Sequence, residues 1–369
     1  MELRCDNKPL IDKICVYNFS VLAIENIKLL QDKNVLVVEE GKKEEQYIII
    51  NGDYFSSIRI PANAYFDTFT YAKCKASNKI YGEMELSVPD DGFHNLNCLT
   101  AEQYKERIAT AMKFLADEYG IIVEYSNIKY KTVEINKTIV LENSFNDYQR
   151  PLNLMMYLMP GQLRLSKSEC HGKNRQPPRA VEYNEITETY SGNSGKRGIA
   201  VKIYDKRKHL LLMYHIETFS NYLRFEITLK CPEKVKQALG TNGVFRITDN
   251  MLEKYFKEFI SKNVVEPYRK HCEKRDIALR KMLKENYCPA SKTWTRDVLL
   301  EISDLEITKS VPLMLDIDEL IAQLNCIKFG KKQNKYNAKK RFKEICCEHL
   351  SAFVQNDGKK YCEIINKLI

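Results

Sequence analysis

Two alternating stretches place reactive side chains on one side of a predicted sheet. The segment IAVKIYDK contains Lys202 and Tyr204, and the later segment YLRFEITLK contains Arg224 and Glu226. Because successive side chains of a strand point to opposite faces, each pair lies on one face and the intervening apolar residues lie on the other. A phenol, a carboxylate and cations gathered on one face could carry out nucleophilic attack on a phosphate ester.

A third predicted strand adds another carboxylate. In the segment VEIN, Glu134 points away from the apolar face, so it converges with Tyr204 and Glu226 if the three strands are neighbours. A phenol titrates near pH 10 and is a poor nucleophile at neutral pH. Mg²⁺ or Mn²⁺ held by carboxylate oxygens can polarise a phosphodiester and neutralise developing charge. The pattern therefore predicts Tyr204 as a nucleophile, with Glu226 and Glu134 as metal ligands.

Two cations complete this predicted catalytic group. Lys206 could stabilise the phenolate or the pentacoordinate phosphorus, and Arg224 could hold a neighbouring phosphate in bidentate fashion. A structural interpretation also fits, since strand tyrosines commonly serve packing. In that interpretation Glu226 forms a cross-strand ion pair with Lys202 that is worth only a few tenths of a kcal/mol.

Short strands and one helix must position these residues. The helix predicted at 100–119 begins with a capping box of Thr100 and Gln103 and has apolar residues on one side. The sequence therefore predicts an α+β fold in which an antiparallel sheet carries helices on one face and the site on the other. Strands are predicted at 35–39, 47–50, 57–60, 80–88 and 132–141.

The second half of the chain changes character twice. Residues 150–194 lose periodicity and contain Arg175 and Arg179, which suits a long loop region, with a short helix near 152–158, that clamps a DNA strand. After residue 230 the pattern becomes helical. We expect a catalytic domain at 1–245 and a mostly helical, basic accessory domain at 246–369.

The positive charge is concentrated near the C-terminal end. The chain carries 58 Lys and Arg against 49 Asp and Glu, and residues 231–369 hold 27 of the former and 19 of the latter. Residues 328–343 contain eight basic and no acidic side chains, interleaved with aromatic rings, which suits the phosphates of DNA. An ordinary basic surface helix would look the same. The predicted DNA-binding residues are Lys202, Arg175, Arg179, Lys331, Lys332, Lys339, Lys340 and Arg341.

Other classes of protein are disfavoured. No apolar run approaches the roughly 18 residues of a membrane span, and the start of the chain mixes charges where a secretory signal would be basic and then apolar. The 12 cysteines contain no Cys-x-x-Cys pair, so we expect reduced thiols and no zinc site. These features predict a cytoplasmic protein without a membrane partner.

Several motifs resemble those of the rolling-circle replication initiators of filamentous phages, the gene II/X type, and of related plasmids, the Rep-trans type. None is specific alone, but they occur in the expected order over residues 10–260. Glu134 stands where the family has an aspartate. The motifs are Ile11-Asp12, Glu83-Met84-Glu85-Leu86 followed by His94-Asn95, Val133-Glu134, Tyr204-Asp205-Lys206, and Leu223-Arg224-Phe225-Glu226 with Lys230.

The resemblance implies a Rep-like nicking domain and a metal-dependent DNA endonuclease and strand transferase. Tyr204 would attack a phosphodiester, form a 5′-phosphotyrosine and free a 3′-hydroxyl that primes replication. The partners implied are single-stranded or supercoiled DNA at a phage or plasmid replication origin, with host helicase and polymerase as further candidates. A mobilisation relaxase with the same chemistry and a non-catalytic DNA-binding copy-control protein are the alternatives.

Histidine usage separates this chain from the related histidine-hydrophobic-histidine nucleases. Those enzymes use two histidines two residues apart, and none of the six histidines here forms such a pair. We therefore expect a carboxylate-led metal site, with His94 as a further candidate ligand.

Overall fold

A computed structural model gives the architecture of the chain. It describes residues 8–25, 27–39, 45–52, 55–62, 81–87, 98–160, 163, 182–184, 189–193, 198–288, 290, 293–294, 317–329, 332–349 and 357–369.

Strands dominate the first part of the described chain and helices the second. The strands are β1 (Leu10–Ile24), β2 (Leu36–Glu39), β3 (Glu45–Gly52), β4 (Phe55–Ala62), β5 (Tyr81–Ser87), β6 (Ile121–Glu124), β7 (Lys129–Leu141), β8 (Glu182–Asn184), β9 (Thr189–Asn193), β10 (Ile199–Asp205), β11 (Asn221–Leu229), β12 (Tyr287–Cys288) and β13 (Thr293–Trp294). The helices are α1 (Ile27–Asp32), α2 (Ala101–Tyr119), α3 (Gln149–Leu158), α4 (Lys206–Tyr214), α5 (Pro232–Leu239), α6 (Asp249–Ile260), α7 (Glu266–Glu285), α8 (Ile317–Gln323), α9 (Lys332–His349) and α10 (Asp357–Leu368).

The chain forms two compact units, each assembled from separate segments. The predicted domains, 1–245 and 246–369, were defined by their functional roles, and that division stays a prediction. Unit 1 comprises Met1–Thr138, Asn193–Phe219 and Arg224–Phe256, and unit 2 comprises Ile139–Gly192, Ser220–Leu223 and Lys257–Ile369.

Unit 1 is built on a sheet in the order β2-β3-β4-β5-β1-β7-β11-β10. The pairs from β2 to β7 are antiparallel. Strand β6 pairs with the far end of β1, so β6 and β7 run along the same edge of that strand. The fold is therefore mixed α and β with an antiparallel sheet, as the sequence predicts.

Strand β1 lies in the middle of this sheet, between β5 and β7. Its pairing with β7 shifts register between Ile11, which faces Ile135, and Lys13, which faces Glu134. Asp12 is thus an extra residue on β1, as in a β-bulge. A bulge can turn a side chain toward a site that regular alternation would not reach.

Helix α2 begins with the predicted capping box and packs its apolar side into unit 1. The Thr100 side chain accepts from the Gln103 N–H, and the Gln103 side chain accepts from the Thr100 N–H. Gly120 ends the helix in the left-handed conformation that glycine adopts readily. The buried residues of α2 are Ala101, Tyr104, Ile108, Ala111, Met112 and Leu115.

Unit 2 contains a helical core and a short hairpin of β8 and β9. Ala338 and Phe342, one turn apart on α9, are buried with Trp294, Leu279 and Leu320. Since one side of α9 faces this core, its charged residues occupy the remaining surface.

Helix α10 is joined to residues far away in the sequence. The Tyr148 hydroxyl donates to Glu363 at 2.5 Å, and Arg150 pairs with Asp357 at 2.9 Å. The Tyr361 ring stacks on Tyr268 with centroids 3.9 Å apart. These contacts fix the last described helix within unit 2.

The structure also bears on the cysteines and on the length of the helices. The cysteines that the structure describes in full, Cys98 among them, are free thiols. Among the described residues, no helix combines the length and apolar composition that a bilayer crossing requires.

Candidate active site

Neighbouring strands β10 and β11 bring Tyr204 against Glu226. The Tyr204 hydroxyl donates to Glu226 Oε1 at 2.6 Å. The Lys230 N–H donates to the Gly198 carbonyl at 3.1 Å, joining the end of β11 to the start of β10, as in an antiparallel pair. Tyr204 and Glu226 are therefore diagonal neighbours on one face of the sheet.

Strand β7 lies on the other side of β11 and brings Glu134 into the same group. The Thr228 hydroxyl donates to Glu134 Oε2 at 3.1 Å. Farther along, Arg224 Nε donates to the Thr138 hydroxyl at 2.9 Å. The predicted convergence of the three strands on one polar face is therefore confirmed.

Asp12 is the third carboxylate of the group. One oxygen each from Asp12, Glu134 and Glu226 lies within 4.8 Å of the others. Asp12 reaches this position from the bulge in β1, and its Oδ2 lies 3.8 Å from Arg224 Nη1. We call Asp12, Glu134 and Glu226 the carboxylate cluster.

The chemistry of the carboxylate cluster fits a hard divalent cation. Its donors are all oxygens, which suit Mg²⁺ or Mn²⁺ better than soft metals. Burial, Glu226 and Asp12 raise the pKa of Glu134 to about 7. Burial and Asp12 also raise the pKa of Glu226. A cation of charge +2 would offset the repulsion that contributes to both shifts.

Tyr204 is buried, with 6% of its surface exposed, and is held as a neutral phenol. Burial and the adjacent Glu226 carboxylate raise its pKa well above the usual value for tyrosine. The phenol can become a nucleophile only if its proton moves to an acceptor, and Glu226 Oε1 is already in hydrogen-bond contact.

Cations surround the tyrosine. Lys206 is buried, its Nζ lies 5.9 Å from the centre of the Tyr204 ring, and burial together with Arg224 lowers its pKa to about 8. Arg224 is 1% exposed. Lys202 is half exposed and lies 3.9 Å from Glu226 Oε2, so the ion pair of the structural interpretation is present beside the Tyr204 hydrogen bond.

A further layer holds the bulge of β1. The Tyr104 hydroxyl donates to the Asp12 carbonyl at 2.5 Å, and the Cys98 thiol donates to Asp12 Oδ1 at 3.6 Å. Asn136 Nδ2 donates to Cys98 Sγ at 3.1 Å. Because burial raises the pKa of Cys98 to about 12, its thiol stays neutral and acts as a donor.

The sequence prediction missed two residues of this site. Asp12 appears in the sequence only as part of an opening motif, and its bulge breaks the alternation that would have predicted β1. His209 packs against Tyr204 with ring centroids 5.3 Å apart. Asp205 caps α4 by accepting from the Lys208 N–H at 3.0 Å, so the helix starts directly after Tyr204. If Asp205 had been identified as an N-cap, the sequence would have predicted a helix after Tyr204 whose first turn contains His209.

The eight remaining predicted site residues fall into two groups. His94, Arg175, Arg179 and Lys331 are outside the described residues. Lys332, Lys339, Lys340 and Arg341 lie on α9 in unit 2.

We expect the metal-free protein to lose stability as the pH rises from about 4.5 to about 7. The native pKa of Glu134 is raised, so the folded state binds its proton more tightly than the unfolded chain does. The loss should be about 2 to 3 kcal/mol, and Mn²⁺ should reverse it. Thermal unfolding in EDTA and in Mn²⁺ at pH 5.5 and 8 measures both effects.

Glu134→Gln is the matched control for this pH dependence. It should reduce the response in EDTA to the part that Glu226 contributes, because the amide does not titrate in this range. An unchanged response in this variant would assign the effect to another group.

Comparisons with known proteins complete the description. No family model matches this sequence, and no curated protein matches it. Among solved structures, the chain is similar to a rolling circle replication initiator protein from Geobacillus stearothermophilus, with 9% sequence identity and a TM-score of 0.32. That match covers 70% of this chain and 85% of the other. Both values are too low to assign a family, so the site chemistry rests on the contacts given above.

Proposed function

We propose that the protein is a replication initiator of a phage or plasmid that cuts and rejoins one DNA strand, with Tyr204 as the nucleophile. The observation that carries this proposal is the hydrogen bond from Tyr204 to Glu226 at the edge of the carboxylate cluster. A tyrosine used only for packing has no need of three carboxylates and buried cations beside its hydroxyl. The motif order shared with rolling-circle initiators supports the same proposal.

The proposed reaction is a transesterification. The Tyr204 oxygen bonds to phosphorus as its proton passes to Glu226 Oε1, and the bond from phosphorus to the 3′-oxygen breaks. Lys206 faces the Tyr204 ring and would give a proton to the departing 3′-oxygen. The products are a 5′-phosphotyrosine and a strand with a free 3′-hydroxyl.

Asp12, Glu134 and Glu226 would hold Mg²⁺ or Mn²⁺ in this reaction. Such an ion, when bound, neutralises charge that builds up on the phosphate oxygens. Arg224 lies next to Asp12 and would orient a phosphate oxygen from the other side of the cluster. In the reverse reaction, the 3′-hydroxyl attacks the phosphotyrosine and the strand is rejoined without ATP, because the covalent bond retains the energy of the cleaved one.

The roles of the two predicted domains and of the partners belong to this proposal. Residues 1–245 would carry the chemistry in the cytoplasm, and residues 246–369 would help recognise the origin. Host polymerase would extend the freed 3′-hydroxyl, and helicase would open the duplex ahead of it. Lys202, with Arg175, Arg179 and Lys331, would contact the phosphates, as would the α9 residues Lys332, Lys339, Lys340 and Arg341.

A covalent selection tests the proposal without knowledge of the origin. The protein is incubated with Mn²⁺ and single-stranded oligonucleotides that contain a randomised stretch, and non-covalent complexes are then removed with detergent. We expect a protein–DNA adduct whose captured strands share a sequence at their new 5′ ends. Absence of any adduct, when the same strands bind tightly, would contradict cleavage and favour a regulatory DNA-binding protein.

We also expect the α9 cations to contribute to binding through phosphates. Replacing Lys339, Lys340 and Arg341 together by glutamine should reduce the slope of log K against log salt by about 2, since each contact with a single strand contributes about 0.7. Lys340 and Arg341 are exposed, so the fold should tolerate the change. Fluorescence anisotropy from 50 to 300 mM salt measures the slope.

The control for the salt experiment is the same change to glutamine at three exposed lysines within residues 261–285. Lys262, Lys270 and Lys281 are exposed and belong to the same unit. An equal loss of slope in both triple variants would mean that α9 acts only through net charge.

A further inference from the structure

Phe219 is a large apolar side chain left almost entirely in water. It is 84% exposed, whereas the other exposed large apolar residues of the described chain reach at most 67%. Its neighbour Thr218 is 5% exposed. The loop is therefore anchored at Thr218, and the aromatic ring next to it points outward. A single exposed apolar residue is common on protein surfaces, so the location of Phe219 matters more than its exposure.

The topology puts Phe219 at the end of the sheet where Tyr204 lies. Tyr204 is the penultimate residue of β10, and the chain returns into β11 at Asn221. Helix α4 and its following loop connect these two antiparallel strands, so both leave the sheet at the Tyr204 end. His215 ends α4 in the left-handed conformation, with φ of 57°. Only the five residues 216–220, which include Phe219, separate His215 from the start of β11.

The first turn of α4 adds positive charge at the same end of the sheet. Arg207 is exposed and Lys208 is partly exposed. Leu211 lies one turn after Arg207 and is 44% exposed, so one cationic and one apolar group lie on the same side of the helix. Lys202 on β10 is also half exposed. Single-stranded nucleic acid carries the complementary groups, because anionic phosphates alternate with flat apolar bases along it.

We propose that Phe219 is a stacking platform for one base of single-stranded DNA next to the phosphodiester that Tyr204 cleaves. This inference rests on the proposed function and adds the position of the strand. The phenylalanine ring offers no hydrogen bonds, so it accepts any base. Arg207 and Lys208 hold the adjoining phosphates, which favours DNA over an uncharged apolar partner. The platform fixes a neighbouring nucleotide so that the scissile phosphate meets the Tyr204 hydroxyl.

The test is a binding cycle between the ring and a base. Affinities are measured in the Tyr204→Phe background, which excludes cleavage, with a fluorescent single strand selected for tight non-covalent binding and with versions that carry one abasic position. Phe219→Ala should weaken binding of the intact strand about 5- to 150-fold, the range for losing one stacked base. One abasic position should weaken binding by a similar factor, and Phe219→Ala should add little to that loss.

Two variants serve as controls. Phe219→Trp keeps an aromatic face and should retain the affinity. Ile277→Ala removes an exposed apolar residue of unit 2, 67% exposed, and should have no effect. Because Phe219 is exposed, its replacement should leave the thermal unfolding temperature unchanged.

The outcomes separate the platform from the proposed function. If Phe219→Ala binds as tightly as the parent, or if its loss is equal with intact and abasic strands at every position, the platform is wrong. In that case, a covalent adduct formed by the protein that retains Tyr204 would still support strand cleavage. A coupled loss of affinity without any adduct would support the platform and contradict the cleavage chemistry.

Discussion

We expect Tyr204→Phe to abolish the covalent protein–DNA product and to leave the affinity for single-stranded DNA within about twofold of the wild type. Removal of a nucleophile that acts together with its base costs at least about 10⁴-fold in rate. The phenylalanine ring fills the same buried position, so the neighbouring packing is kept. Only the hydrogen bond to Glu226 is lost.

End-labelled DNA gives a direct reading of this variant. Because the 5′ phosphate stays on the tyrosine, a label at the 3′ end of the oligonucleotide should enter the protein band on a denaturing gel. A label at the 5′ end should leave with the free fragment. The matched control is Tyr130→Phe, which changes a fully buried tyrosine on β7 of the same sheet. An adduct that persists in Tyr204→Phe would move the chemistry to another residue.

Glu226→Gln should change activity and metal-free stability in opposite directions. Cleavage should fall by about 10²- to 10⁴-fold, because the amide cannot accept the phenol proton. Mn²⁺ affinity should fall at least about tenfold with the loss of an anionic ligand. In EDTA at pH 8 the variant should unfold at a higher temperature than the wild type. Burial and Asp12 raise the pKa of Glu226, so the charged form opposes folding there, and the amide removes that cost.

The three effects of Glu226→Gln need separate measurements. Single-turnover cleavage gives the rate, titration calorimetry with Mn²⁺ gives the affinity, and circular dichroism gives unfolding with and without EDTA. Glu25→Gln replaces an exposed carboxylate and should change none of them. A Glu226→Gln protein that is less stable in EDTA and binds Mn²⁺ normally would leave Glu226 with a purely structural role.

Local pattern was enough to predict which residues share a face, but not how deeply that face is buried. Alternation in β10 and β11 placed Tyr204, Arg224 and Glu226 together because the side-chain period of a strand is fixed. The same pattern suggested an open face, whereas Arg224 and Glu226 are at most 2% exposed. Burial depends on elements that are remote in the sequence, and alternation carries no information about them.

Register was the second limit. Predicting Asp12 in the carboxylate cluster requires the pairing of β1 with β7 and the one-residue shift within it. The extra residue reverses which side chains of β1 point to each face of the sheet. The apolar residues before and after the bulge therefore do not follow one alternating pattern. The capping box of α2, by contrast, depends on residues three apart, and the sequence was sufficient to predict it.

The contacts of α10 have a consequence for synthesis and dissection of the chain. Glu363 bonds to Tyr148, 215 residues earlier, and to the N–H of Glu142, 221 residues earlier. Pairings this distant form slowly, because a long loop must close before they contribute. Unit 2 therefore completes its fold only after residues 357–368 have been translated. Because each unit is assembled from separate segments, a fragment that ends between two of them leaves at least one unit incomplete.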